Sequence, residues 1–462
     1  MGLNFDQKDL AFILSEVPRA QLEQIVCQQV VMIQQLQTRI EILEKENLEL
    51  TQNQRSSTAP FRRNKEDLSQ TPKKPGRQKG HPGTFRQPPP PTEIIDVPLE
   101  YCPDCFCEVE HLKHHRQTIE ELPIITVQVI QINTQSGFCP KCHKKVRSSH
   151  PLQSSKAVGA ASTSLGPRAV ALAIELQSRF NLTKSKTCAI LKEFFGINLT
   201  PGGLVDLSHR MASKLSPEYQ QLLGEVQHSS HIHADETGWY VGKPGNQLCV
   251  FTNQSLTLYH VAKTRTREMV KRILGDHYQG VLITDCLSIY DDVNPLQQKC
   301  YSHHFKAIAE ALKKIPTGFS NYLAEVKLML KTAMTLKTLQ TEIKRSDFAA
   351  KIRHLENWSA NLLSVVNRTE QLQAEEETVR QRLFKQRDHL FEFLKHREVE
   401  ATNNQAERQL RPAVIARKLS CGNRTDKGAQ TWEVLASLAV TSAQRNDSFK
   451  DLIKTAVYRS PP

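Results

Sequence analysis

The 462-residue chain has no run approaching the roughly 18 consecutive apolar residues that a bilayer-spanning helix needs. A secretory start is also missing: MGLNFDQKDLAFILSEVP carries acids early and has no basic opening followed by a small-residue cleavage site. No membrane partner is expected, and the chain reads as cytoplasmic or nucleoid-associated. Acidic charge is scarce. Lys and Arg number 61 against 48 Asp and Glu, a formal net charge of +13. That excess suits a polyanionic partner, because each phosphate neutralised by Lys or Arg releases a condensed counterion. A ribosomal or membrane-surface protein would show the same balance, so charge alone leaves the partner open. Nor is the cysteine count even. Eleven cysteines in a reducing compartment do not suggest a disulfide framework, and four of them fall into pairs with metal-ligand spacing.

A chain of this length should divide into about two to four units. Residues 20–52 carry a heptad, with Val26, Ile33, Ile40 and Asn47 on one seam position and Leu22, Gln29, Leu36, Leu43 and Leu50 on the other. Ile or Val at a with Leu at d favours a parallel two-stranded coil, and a buried Asn at a fixes its register. The expectation is a homodimer or higher oligomer; a single amphipathic helix packed on its own protein would give the same pattern. Residues 53–98 are rich in Pro, Gly, Ser and base, with little to bury, and read as an extended linker. Its Lys73, Lys74, Arg77 and Lys79 could lie along phosphates.

Within 99–150, Cys102-Pro-Asp-Cys105 and Cys139-Pro-Lys-Cys142 flank ITVQVIQI, which reads as a strand. Two Cys-x-x-Cys knuckles suit a closed, four-thiolate structural Zn²⁺ site, with Cys107 and His143 near enough to substitute; a redox motif would need only one pair. In 151–225, AVALAIELQSRF, TKSKTCAILKEFFG and LVDLSHRMASKL form three short helical patterns, the last after Thr200-Pro201-Gly202-Gly203. They fit a helix-turn-helix or an ordinary helical subdomain equally well.

From residue 229 the pattern turns to strands. SSHIHAD ends in Asp235, QLCVFTN and TLYHVAK read as antiparallel neighbours, and GVLITD ends in Asp285. Carboxylates at two strand ends could hold divalent ions over a phosphodiester, with oxygen ligands selecting Mg²⁺, although an Asp ending a strand is often only a turn residue.

HADETGW and LITDCLSIYDDV resemble the first two motifs of the insertion sequence 66 family of DDE transposases. Asn403-Asn404-Gln405-Ala406-Glu407-Arg408-Gln409-Leu410-Arg411-Pro412 resembles its third, and Cys300-Tyr301-Ser302-His303 its Cys-x-x-His segment. The order of coil, basic linker with Gly80-His81-Pro82-Gly83, paired cysteines and helices also fits, so the likeness covers essentially the whole chain. The resemblance implies a multidomain α+β architecture. Its expected parts are a coiled-coil helix over 1–52, the linker over 53–98, a zinc-ribbon-like domain over 99–150 and a helix-turn-helix-like region over 151–225. An RNase H-like α/β core follows in 226–306 and 398–462, interrupted by a helical insertion over 307–397.

It further implies Mg²⁺-dependent cleavage at terminal inverted repeats and strand transfer into target DNA, with Asp235, Asp285 and Glu407 as catalytic metal ligands. Double-stranded DNA would be the partner, and accessory transposition proteins are compatible with it. Glu407 should lie near the start of a helix ending before Pro412, with Arg408 and Arg411 placed to hold phosphates. Two positions depart from the family pattern: Thr402 stands where Asp is common, and Cys286 where Gly is common. A transposase-derived DNA-binding protein that no longer cuts is the alternative.

Overall fold

The computed structural model describes residues 87, 89–123, 125–153, 164–364 and 372–459. The heptad segment and the linker bases Lys73, Lys74, Arg77 and Lys79 lie outside them. The chain divides into two units, one spanning Lys45–Thr126 and one that includes Val127–Pro462. In the first, the described residues form no helix or strand, only an isolated bridge between Tyr101 and Glu108 around the first cysteine pair.

The second unit opens with a hairpin of β1 (Ser136–Phe138) and β2 (Lys145–Arg147), which carries the second cysteine pair in its turn. The strand expected from ITVQVIQI does not form among its described residues. Val129 is 90% exposed, and a β-branched run without a neighbouring strand has neither a ladder nor a face to bury.

Four helices follow: α1 (Pro167–Ser178), α2 (Lys184–Phe195), α3 (Pro201–Lys214) and α4 (Ser216–Gln227). Their ends are written locally. Pro167 and Pro201 open helices where a missing N–H costs nothing. The Thr183 and Thr200 hydroxyls accept from Lys186 N and Gly203 N, and Gly196 closes α2 at φ +63°.

The sheet comprises β3 (His231–Val241), β4 (Lys243–Thr252), β5 (Thr257–Ala262), β6 (Val281–Thr284) and β7 (Gln297–Lys299), with α5 (Arg267–Leu274) between β5 and β6. Its order is β5-β4-β3-β6-β7. QLCVFTN and TLYHVAK are antiparallel neighbours as expected, while β6 and β7 add in parallel beside β3. One face buries Ile232, Ala234, Phe251 and Leu282 against α1 to α5 and the C-terminal α13 (Phe449–Val457). The other buries Trp239, Leu248 and Val250 under α11 (Asn404–Ser420) and α12 (Asp426–Gln444).

Between β7 and α11 come α6 (Tyr301–Lys314), α7 (Asn321–Thr338), α8 (Arg345–Leu363), α9 (Ala374–Lys385) and α10 (Glu392–Lys395). They build their own core from Leu323, Met329, Leu330, Leu390 and Phe393, and share it with Val281 and Ile283 of β6. Lys337 ties α7 to the end of α10 by donating to the carbonyls of Phe393, His396 and Arg397 at 2.6, 2.7 and 3.0 Å.

On β7, the Gln298 side chain accepts from Phe393 N (3.0 Å) and donates to Leu390 O (3.3 Å), tying the strand to the segment around α10. The outer edge of β5 is closed by side chains, which removes its capacity to pair with another strand. On β5, α12 presents oxygens at four-residue spacing. Thr441 accepts from Thr257 N (3.0 Å), Ser437 from Tyr259 N (2.9 Å) and Glu433 from Val261 N. Alternate strand N–H groups thus meet one helix stripe. Glu433 also faces His260 at 3.4 Å, and burial pushes that imidazole down to about 4, so it stays neutral. Burial pushes the Glu433 carboxyl up to about 7. A raised carboxylate means that the folded chain holds a proton the unfolded chain releases. The stability from this group is therefore full below its ordinary value and is lost as pH rises through about 7. Glu433→Gln should flatten the fall in melting temperature between about pH 5 and 8. An identical slope in the variant would contradict this.

Candidate active site

The register of β3 and β6 brings two aspartates together. His233 is paired directly with Ile283, and Asp235 and Asp285 each lie two residues further along. Asp235, within β3, and Asp285, just past the end of β6, therefore come from adjacent parallel strands. A period of two places Asp235 on the face that carries Trp239 and Val250. Asp285 follows the last residue of β6, as expected from GVLITD. Asp235 does not end its strand: β3 continues to Val241, because β4 keeps pairing with it after β6 has stopped.

The third acid comes from α11, which lies over that face through Ala406, Leu410 and Ala413. Glu407 sits in its first turn and is exposed, whereas Asp235 and Asp285 are half-buried. The helix does not stop before Pro412 but runs to Ser420. Proline forfeits one helical hydrogen bond, and the buried Ala413 and Ala416 hold the continuing turns to the sheet.

The electrostatics single out Asp235. Burial, followed by repulsion from Glu236, Asp285 and Glu407, pushes its carboxyl up to about 7 despite the bond it accepts from Glu236 N at 2.8 Å. Glu236 is the adjacent acid but points to the opposite face, where the Tyr290 hydroxyl donates to it and Arg265 lies 3.6 Å away. Its charge is already partnered. Asp235, Asp285 and Glu407 lie within electrostatic reach of one another, yet among the described residues no three His, Cys, Asp or Glu side chains converge closely enough to cage a metal ion. Their oxygen donors and their mutual repulsion suit a hard divalent cation, which would reverse the sign of the local field.

Around this cleft lie residues with less obvious sequence signals. Lys299 is wholly buried, donating to Thr284 Oγ1 (3.2 Å) and standing 3.6 Å from Asp291. His303 faces Cys300, which raises its affinity for a proton against the effect of burial, and feels the charges of Asp285 and Glu407. For Cys300, burial acts upward, but His303 and the Asn403 N–H together outweigh it and lower the thiol. Cys286 approaches His304 at 3.8 Å. Arg408 is exposed and donates to Gln405 Oε1 at 2.7 Å; Arg411 is also exposed. Arg417 instead donates to Thr237 Oγ1 at 3.2 Å and to Gly238 O, holding α11 to β3.

The family model described as Transposase IS66 family matches residues 162–431, more than half of the chain. The chain belongs to that family. No curated protein matches it. The match begins before α1 and ends within α12, so it takes in the sheet, the inserted helices and all three acids of the transposase.

The cysteine pairs of the transposase lie outside the matched span. Each forms a tight turn of the same build. Phe106 N donates to Cys102 O and His143 N to Cys139 O, both at 2.9 Å, with Phe106 and His143 at positive φ. In each turn, backbone N–H groups of the second half lower the first thiol, Cys102 or Cys139. Cys105 and Cys142 are exposed. In α3, the last of the three helices that fit either a helix-turn-helix or an ordinary helical subdomain, Leu204, Leu207 and Met211 are buried in the shared core, and His209 Nδ1 meets Thr431 Oγ1 of α12 at 2.6 Å. Its open face carries Gly202, Asp206, Arg210 and Ser213.

Proposed function

We propose that this transposase cuts and joins DNA strands at a centre formed by Asp235, Asp285 and Glu407. The observation that supports this reading is that Asp235 on β3 and Asp285 just after β6 come from adjacent parallel strands, with Asp285 and Glu407 both close enough to act on the charge of Asp235. An antiparallel meander with two further strands added in parallel beside its first strand is the strand order of an RNase H-like fold, and it supports that assignment. The three carboxylates would hold two Mg²⁺ ions, which when bound supply Lewis acidity at the attacking and leaving oxygens. Asp235 and Asp285 face the scissile phosphate from the sheet, and Glu407 faces it from solvent. Arg408 and Arg411, exposed on the same helix, hold flanking phosphates.

The substrates in this reading are the terminal inverted repeats and a target duplex. End recognition falls to the helices of 151–225, with Lys73, Lys74, Arg77 and Lys79 of the linker along the backbone. For Zn²⁺ the support lies in each pair by itself: the Cys102/Cys105 and Cys139/Cys142 turns share one build, and each offers two thiolate donors. The heptad over 20–52 supports a homodimer or higher oligomer acting at the nucleoid, with or without accessory transposition proteins.

The test is an end-processing assay on duplex DNA carrying the element's terminal repeat. With Mg²⁺ the full-length protein should nick the repeat boundary and join a pre-cut 3′-hydroxyl end to a plasmid, and EDTA should abolish both while binding persists. Binding without nicking would identify a transposase-derived DNA-binding protein. Nicking without joining would identify a nuclease.

A further inference from the structure

Asn403 occupies the N-cap of α11, where an Asn side chain ordinarily accepts a bond from the helix's own first N–H groups. Here it makes no such bond. The side chain is turned inward, and the residue is 1% exposed. Its Nδ2 donates to Ala234 O at 2.8 Å, and its Oδ1 accepts from His233 Nδ1 at 3.2 Å. The backbone N–H donates to Cys300 Sγ at 3.2 Å, and the backbone carbonyl accepts from Glu407 N at 3.3 Å.

These four bonds lead toward the three acids. Ala234 immediately precedes Asp235, and His233, two residues before it, is the last residue of β3 paired with β6. Cys300 follows β7, and its own N–H donates to Thr284 O at 2.9 Å, one residue before Asp285. Glu407 is reached directly. A cap residue that serves only its helix would not turn its side chain away from that helix to bond two residues of β3.

We infer that Asn403 is the positioning residue that fixes Glu407 relative to Asp235 and Asp285, linking the helix-borne acid to the two strand-borne ones. The inference rests on the three acids being the metal-binding set. It assigns Asn403 no contact with DNA or with a reacting atom. Its effect is to set the separation of carboxylates borne on independent elements, and a polar residue holding ligands in this way acts on metal affinity as well as on rate.

The experiment measures Mn²⁺ binding by calorimetry on the full-length protein without DNA, alongside strand cleavage and melting temperature. Four proteins are compared: wild type, Asn403→Ala, Glu407→Gln and Ile453→Ala, the last a core truncation in α13. Asn403→Ala should weaken Mn²⁺ binding by about tenfold or more, in the range of other outer-shell partners, and cleavage should fall with it. Ile453→Ala should melt lower yet bind Mn²⁺ as wild type does. Wild-type Mn²⁺ affinity in Asn403→Ala, with Glu407→Gln impaired, overturns the positioning role and leaves the triad standing. Unimpaired binding and cleavage in Glu407→Gln overturns the triad itself. If Asn403→Ala does not fold, Asn403→Ser takes its place under the same criteria. Failure of both to fold gives Asn403 a purely structural role and overturns the inference.

Discussion

Asp235→Asn should abolish strand cleavage while leaving duplex binding unchanged. The substitution keeps the shape of the side chain and removes only its charge. In the folded protein burial, followed by repulsion from Glu236, Asp285 and Glu407, pushes that half-buried carboxyl up to about 7. A group held at such a cost in a cleft, with no cationic side chain bonded to it, is poised to receive a cation. Loss of one ligand from a two-ion site should lower the cleavage rate on the order of a thousandfold, about 4 kcal/mol of transition-state stabilisation. The variant should also melt no lower than wild type, since a neutral amide is easier to bury than a carboxylate. Glu236→Gln is the matched control. Its acid is next in the chain but already bonded by Tyr290 and Arg265 on the opposite face, so cleavage should stay within about tenfold of wild type. The measurement is single-turnover nicking of repeat DNA, with binding followed separately by mobility shift. Cleavage surviving Asp235→Asn but lost in Glu236→Gln would place the metal-binding carboxylate on the other face of the sheet.

The sheet was legible wherever the sequence alternates or runs β-branched between turn residues: QLCVFTN, TLYHVAK and GVLITD became β4, β5 and β6. What it concealed depends on pairing. SSHIHAD reads as a strand ending at Asp235, followed in sequence by Glu236, Thr237 and Gly238. With β4 alongside, the same residues extend β3 to Val241. ITVQVIQI has the stronger strand composition but no partner, and stays irregular where described. Propensity states how a residue fits a sheet, not whether one is present. The three acids could be grouped from sequence only through likeness to a family. That Asp235 and Asp285 come from adjacent strands follows from a pairing that no single segment encodes. Asn403 belongs to the third motif, and nothing in its local sequence distinguishes an ordinary helix cap from one turned toward β3.

Trp239 shows how far the cleft depends on packing outside it, and Trp239→Ala should be the most damaging single core truncation near the site. The indole is 3% exposed and lies on the same face of β3 as Asp235, under α11. It packs against Trp432 with ring centroids 4.7 Å apart and in one cluster with Leu410 and with Ala406 and Ala413, the two small residues that let α11 lie close to the sheet. Its Nε1 donates to Asn423 Oδ1 at 2.8 Å. The loop after α11 is stitched to the same strand: Asn423 N donates to Tyr240 O and Gly242 N to Asn423 O, at 2.8 and 2.9 Å. Gly422, at φ +82°, passes so close that a Cβ would meet Tyr240 O at 2.5 Å. Removing the indole leaves a large cavity and an unpartnered Asn423 oxygen together, and truncations of this kind cost about 3–5 kcal/mol. Trp239→Phe fills much of the cavity and should recover more than half of the loss, with the missing N–H accounting for about 1 kcal/mol of what remains. Denaturant unfolding of the three proteins checks the order, and cleavage should follow it, because α11 carries Glu407. A Trp239→Ala protein that unfolds and cleaves as wild type does would show that α11 is held to the sheet by something other than this indole.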